Sequence, residues 1–307
     1  MLYCVYSQGN DGKPWLVNWM EILKMLKLDR RRKYYLCLDT ETASLPFVSK
    51  YSGKARQTIG VIKPLIYDIG WQIIDAQGRV YSRKNFLISE IFSVPSVFDT
   101  AYYASKRPLY LSMLEKGEIV LTDWKSATAE LVEALEAVEG VTAYNAAFDF
   151  KRSIPFTELY ISYLYSPDFH EWLRYQERAC DNIADGVKYK RGERQPDDTT
   201  IFRFRGREYP LFDLWGLSCE HILNNDDYRE TCRKNGWISP SGKYYKTSAE
   251  TCYRFIKNDN AFDEAHTALD DATIESEIFA ELMRITKKKF DLGIVAFPFR
   301  IVGRADL

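Results

Sequence analysis

The chain has 307 residues, with 42 Lys and Arg against 43 Asp and Glu, a formal net charge of −1 and 46% hydrophobic residues. These fractions match a globular protein and exclude a disordered, collagen-like or coiled-coil chain. No apolar run approaches the ~18 residues a membrane span needs, and the start lacks a basic segment followed by an apolar one, so neither a span nor a signal peptide is expected.

Residues 1–33 read as an N-terminal extension. In it Trp19, Ile22, Leu23 and Leu26 recur at helical spacing, ahead of the basic run Arg30 to Lys33. YYLCLD (34–39) reads as a buried strand. The polar stretch with Pro46, Lys50, Gly53, Lys54, Arg56 and Gly60 has the composition of a mobile loop. PLIYDIGWQIID (64–75) and RVYSRKNFLIS (79–89) predict two strands joined by the turn Ala76-Gln77-Gly78. Residues 90–120 read as irregular with short helical pieces. Thr122 or Asp123 caps a helix with Trp124, Ala127, Leu131, Val132, Leu135 and Val138 on one face, and Gly140 stops it.

VTAYN (141–145) is a further short strand, and FDFKRS opens a helix. Residues 157–210 read as a basic insertion, with Arg174, Arg178, Lys188, Lys190, Arg191, Arg194, Arg203, Arg205 and Arg207 interleaved with Tyr189, Phe202 and Phe204. YPLFDLWGLS (209–218) leads from strand to helix, and Ser248 caps a helix from Ala249 to Ile256. The last long helix starts near Asp263 to His266 and runs to Lys287, with Ala268, Ala272, Glu275, Phe279 and Leu282 on one stripe. This order describes a mixed α/β domain.

Cys4, Cys37, Cys180, Cys219, Cys232 and Cys252 form no C-x-x-C pair. They read as reduced thiols of a cytoplasmic protein. Cys219 with His221 could begin a zinc site, but no second metal-spaced pair follows, which favours core residues.

Three acidic motifs carry chemistry. Asp39 and Glu41 share one face of a strand end. Two adjacent buried carboxylates repel, and Mg²⁺ or Mn²⁺ would remove that cost; a solvated strand end would remove it too. Asp149 follows the strand at 141–145 and suits either a helix cap or a ligand. His266 precedes Asp270 and Asp271. In a regular helix Asp270 lies on the His266 side; Asp271 reaches it only if His266 sits in a loop or an irregular first turn.

Together LDTET, NAAFD and HTALDD give D-x-E, N-x-x-F-D and H-x-x-x-x-D in order. The chain thereby resembles the DnaQ-like, DEDDh-type 3′→5′ exonucleases of the ribonuclease H-like superfamily. The resemblance implies a ribonuclease H-like mixed central sheet flanked by helices over residues 34–288; the basic insertion at 157–210 is longer than a minimal member needs, and residues 289–307 form a C-terminal tail. It implies Asp39, Glu41, Asp149 and Asp271 as ligands of two Mg²⁺ or Mn²⁺ ions and His266 as general base. Thr42, Leu45, Asn145 and Phe148 fall where family members meet the terminal nucleotide. Ala43-Ser44 replaces the frequent Thr-Gly, and the termini match nothing in the family.

The activity so implied is hydrolysis of single-stranded nucleic acid from its 3′ end, with DNA favoured, releasing nucleoside 5′-monophosphates. Two cations about 4 Å apart would clamp the attacking and leaving oxygens. Basic loops would hold phosphates, and Tyr189, Phe202 and Phe204 would stack on bases; a solvated hairpin explains the same stretch. Alternatives are an RNA-trimming exoribonuclease or oligoribonuclease, a proofreading subunit docked on a polymerase, and a nuclease-like binding module without turnover.

Overall fold

The computed structural model describes residues 6–8, 14–16, 28–29, 31–184, 200–287 and 294–305. Near the N-terminus, β1 (Tyr6–Gln8) pairs antiparallel with β2 (Pro14–Leu16). The helical spacing expected over Trp19 to Leu26 lies outside the described residues.

The main sheet has seven strands: β3 (Tyr34–Ser44), β4 (Pro64–Asp75), β5 (Val80–Ile88), β6 (Val120–Thr122), β7 (Gly140–Ala143), β8 (Ile201–Phe204) and β9 (Arg207–Asp213). Their spatial order is β6-β5-β4-β3-β7-β9-β8. The β3–β4, β4–β5 and β8–β9 pairs are antiparallel, whereas β3–β7, β7–β9 and β5–β6 are parallel. The hairpin expected at Ala76-Gln77-Gly78 is present, with Gly78 at φ +74°.

Among the described residues, the helices of eight residues or more are α1 (Gly53–Ile62), α2 (Arg107–Lys116), α3 (Trp124–Glu136), α4 (Ile154–Leu164), α5 (Phe169–Ala184), α6 (Leu214–His221), α7 (Asp226–Asn235), α8 (Ala249–Lys257) and α9 (Ala268–Ile285). Asp123 caps α3 by accepting from the Ser126 amide at 2.8 Å, and Ser248 caps α8 by accepting from Thr251 at 3.3 Å. Among the described residues no helix is long and apolar enough to cross a membrane.

Both faces of the first half of β3 are covered, which is why Tyr34–Leu38 is continuously apolar. Leu36 and Leu38 enter one core with Trp71, Trp124, Leu131, Phe150 and Ile154. Tyr35 and Cys37 enter a second core with Leu214, Tyr228, Ile278, Phe279 and Leu282. The buried stripe of α9 faces this second core, and each fully buried Ile, Phe or Leu contributes ~1.5–3 kcal/mol relative to exposure. The tail closes over the same side: Val302 is buried, and Tyr244 bridges Arg304.

Several expectations need correction. The polar stretch after Leu45 is not a loop: Pro46–Lys50 forms a 3₁₀ turn and Gly53–Ile62 forms α1, anchored by buried Val48 and Ile59. Residues 90–120 hold a ten-residue helix, α2. Gly140 opens β7 rather than stopping α3, because the Phe212 ring passes where its Cβ would be, 2.6 Å away. Within 157–210, α4, α5 and the β8–β9 hairpin are regular structure. Tyr189 and Lys188, Lys190, Arg191 and Arg194 lie outside the described residues.

Candidate metal centre

The strand period places Cys37, Asp39 and Glu41 on the face toward α9. Across the ladder Asp39 pairs with Gly70 and Glu41 with Asp68, and the register slips between Glu41 and Thr42. Gly70 leaves room for the α9 backbone, because a Cβ there would lie 2.4 Å from the Leu269 amide nitrogen. Asp68 then reaches the helix start. Its Oδ2 accepts from the Ala268 amide at 3.0 Å and from the Tyr110 hydroxyl at 2.9 Å. An anion at the first turn suits the helix dipole. The docked first turn carries Asp271 inward to Asp39 and Glu41.

His266 precedes the helix with φ +51°. A non-glycine residue in this left-handed region costs about 1–2 kcal/mol. The irregular backbone brings His266 Nδ1 to 3.8 Å from Asp271 Oδ2 and 3.4 Å from Glu264 Oε2. Asp270 is exposed and accepts from Thr267 Oγ1 at 2.6 Å. The open choice between the two acids therefore falls to Asp271. Ligand atoms of Glu41, His266 and Asp271 all lie within 4.8 Å of one another.

Asp39 and Asp149 border this group. Burial pushes the Asp39 carboxyl well up, and Asp149, Glu275, Asp271 and Glu41 add repulsion. Burial and Asp271 do the same to Glu41. Asp149 is 2% exposed, accepts from Thr40 Oγ1 at 2.6 Å, and is raised to about 7 by burial. Asp271 Oδ1 is buried with no hydrogen-bond partner. Burial raises the Asp271 carboxyl, while His266 pulls it down. Contact with Asp271 raises His266 in return.

Further acids join without having been expected. Glu275, one turn after Asp271 on α9, is 3% exposed and strongly raised by burial and by Asp149 and Asp271. Asp68 is fully buried and lifted to about 7 by burial. Glu264 is also lifted to about 7, by burial first and Asp271 second. Asp213 ends β9 and is raised by burial to about 7; it accepts from the Ala146 amide at 3.3 Å and so fixes the turn leading to Asp149. The available signal for Asp68 and Glu275 was an acid inside an otherwise apolar strand or stripe.

Oxygen donors held this close, with an orphaned buried oxygen, fit a hard divalent cation. Desolvating several carboxylates costs several kcal/mol unless protons or cations compensate.

The expected nucleotide contacts divide. Thr42 and Phe148 line a cavity of about 510 Å³, together with Arg56, Thr100 and Tyr102. Asn145 is exposed at the start of the turn before Asp149. Leu45 is a correction: with 0% exposure it is a core residue and offers no surface. Phe202 and Phe204 are also corrected, because both are buried in the core against Phe150 and each other and cannot stack on bases. Arg203 pairs with Glu208 at 2.8 Å, Arg207 with Glu136 at 2.8 Å, and Arg205 lies 3.7 Å from Glu158. Arg203 links the two strands of the hairpin, whereas Arg205 and Arg207 tie it to α4 and α3. Cys219 is buried on α6 and His221 faces Glu220, so the Cys-His pair forms no metal group among the described residues.

Comparison with family models, curated proteins and solved structures found no match for the chain.

Proposed function

We propose that the chain is a metal-dependent 3′→5′ exonuclease of the DEDDh type, acting on single-stranded nucleic acid. The observation that carries this reading is the convergence of Glu41, His266 and Asp271 within 4.8 Å, bordered by Asp39 and Asp149. These residues come from segments remote in sequence. The sheet order supports the same reading: three antiparallel strands, β5-β4-β3, are extended by parallel β7 and β9, as in a ribonuclease H-like core.

Asp39, Glu41, Asp149 and Asp271 would hold two Mg²⁺ or Mn²⁺ ions. When bound, such ions supply Lewis acidity and acidify coordinated water. The chain's own residues do the rest. Thr40 orients Asp149 through its hydroxyl. His266 Nδ1 faces Glu264 and Asp271, which leaves Nε2 to accept the proton of the attacking water. Dications on the carboxylates would offset the pull of Asp271 and Glu264 that raises His266 and so favour the neutral imidazole that a base requires. Thr42 and Phe148 offer a wall for the terminal nucleotide.

The test is incubation of the full chain with end-labelled single-stranded DNA and RNA in Mg²⁺, Mn²⁺ or EDTA. Release of 5′-mononucleotides from the 3′ end, abolished by EDTA and by His266→Ala, is expected. No degradation of either strand, or degradation indifferent to chelation, would overturn the reading. The DNA and RNA arms separate a deoxyribonuclease from an RNA-trimming enzyme.

A further inference from the structure

The segment before α2 lies against the candidate centre. Tyr103 precedes and Lys106 ends the turn Ala104–Lys106, which is distant in sequence from the acids. The Tyr103 ring stacks on the His266 imidazole with centroids 4.7 Å apart and planes 17° from parallel. The Lys106 ammonium donates to the Ala265 carbonyl and lies 3.5 Å from the His266 carbonyl. It also sits 4.6 Å from the centre of the Tyr103 ring. The peptide on each side of His266 and the face of its ring are thus held by one short turn.

From this arrangement we infer that Tyr103 and Lys106 are positioning residues for His266; the inference rests on the exonuclease reading above. His266 occupies a backbone conformation that L residues rarely adopt, and such conformations persist only where the surroundings over-determine them. Its side chain is 32% exposed, and Glu264 and Asp271 meet it at Nδ1. Stacking fixes the plane of the ring, and the two carbonyl contacts fix its backbone. Together they set where Nε2 points, which decides whether a proton can be taken from water in line with attack. Lys106 has a second effect. Its charge opposes the negative potential at Glu41, Glu264 and Asp271. Substitution by Arg preserves the charge and the carbonyl contacts, whereas Met removes both. Phe preserves the Tyr103 stack, whereas Leu removes it.

The experiment uses the full chain as wild type, Tyr103→Phe, Tyr103→Leu, Lys106→Arg and Lys106→Met, with two readouts. In the metal-free protein, the ring protons of His266 should be shifted upfield by the Tyr103 ring current. The shift should survive in Tyr103→Phe and vanish in Tyr103→Leu. In turnover of single-stranded DNA or RNA with Mn²⁺, Tyr103→Leu and Lys106→Met should lower kcat at least 10-fold with KM changed less than 3-fold. The Phe and Arg variants should stay within 3-fold of wild type. An active wild type with kcat unmoved in Tyr103→Leu would overturn the positioning role alone. A wild type inactive on every strand would overturn the exonuclease reading and this role with it, whatever the His266 resonance shows.

Discussion

Gly70 and Leu269 meet backbone to backbone: a Cβ on Gly70 would stand 2.4 Å from the Leu269 nitrogen and 2.6 Å from the Ala268 carbonyl carbon. Neither neighbour is a flexible side chain, so nothing can yield without moving the start of α9. Gly70→Ala should therefore cost about 1–3 kcal/mol or more by overpacking. It should also separate Asp271 from Glu41, because the same helix turn carries both Ala268 and Asp271. Chemical denaturation measures the first effect, and divalent-cation affinity measures the second. A variant with wild-type stability and affinity would show that the close approach is not what seats the helix.

The clustered acids set a pH dependence of unusual sign. Asp68, Asp149, Asp213 and Glu264 are each lifted by burial to about 7. The folded chain then keeps protons that the unfolded chain has released. Metal-free stability must fall as pH rises from about 4 to about 7. In EDTA the thermal midpoint should be higher at pH ~5.5 than at pH ~7.5. Mg²⁺ or Mn²⁺ should raise the midpoint more at the higher pH. A metal-free midpoint that climbs with pH over this window would contradict the account.

Asp149→Asn separates stability from function. Asn keeps an Oδ1 acceptor for Thr40 and removes one charge from the crowd. Metal-free stability near neutral pH should rise by on the order of 1–3 kcal/mol, while turnover should fall by about 100-fold or more through loss of a ligand. Urea titration and the nuclease assay check the two halves. Destabilisation by this substitution would mean that Asp149 serves the fold rather than the centre.

Asp75 behaves in the opposite way. Burial alone would raise it, but Arg79, the Gln77 amide and Tyr81 outweigh burial and hold the carboxyl below its ordinary value. Arg79 Nε lies 2.8 Å from Oδ2 and the Gln77 amide 2.9 Å from Oδ1, which fixes the β4–β5 turn. This stability is present above the unfolded pKa of about 3.9 and is lost as pH falls through the lower folded value. Asp75→Asn should cost about 1–3 kcal/mol at neutral pH, with a difference from wild type that shrinks in acid. Equal stability of the two proteins at neutral pH would remove Asp75 as the anchor of the turn.

The strands were readable from the sequence where both faces are buried. Residues 64–75 form a mostly apolar run, interrupted by Asp68 and Gln72, and one fully buried strand in space. At 46–62 the interspersed Lys, Gly and Ser hide the helix, because its anchors, buried Val48 and Ile59 with Phe47 and Tyr51 packed beside them, follow no clear period. Asp39, Glu41, Asp149, His266 and Asp271 could be named from motif order. The spacing of the third motif points to Asp271 over Asp270, but the physical reason, the positive φ of His266, is encoded by no local pattern. Glu275 and Asp68 were hidden because their role depends on which other acids the fold brings near. Phe202 and Phe204 looked like ring surface only because the strand pairing that buries them is tertiary.

The most direct test of the central claim is anomalous diffraction from crystals of the full chain grown with Mn²⁺. The account requires two manganese peaks bound by Asp39, Glu41, Asp149 and Asp271, with His266 beside them and not scattered away. Absence of manganese from this cluster at saturating concentration, or peaks confined to other surfaces, would contradict it.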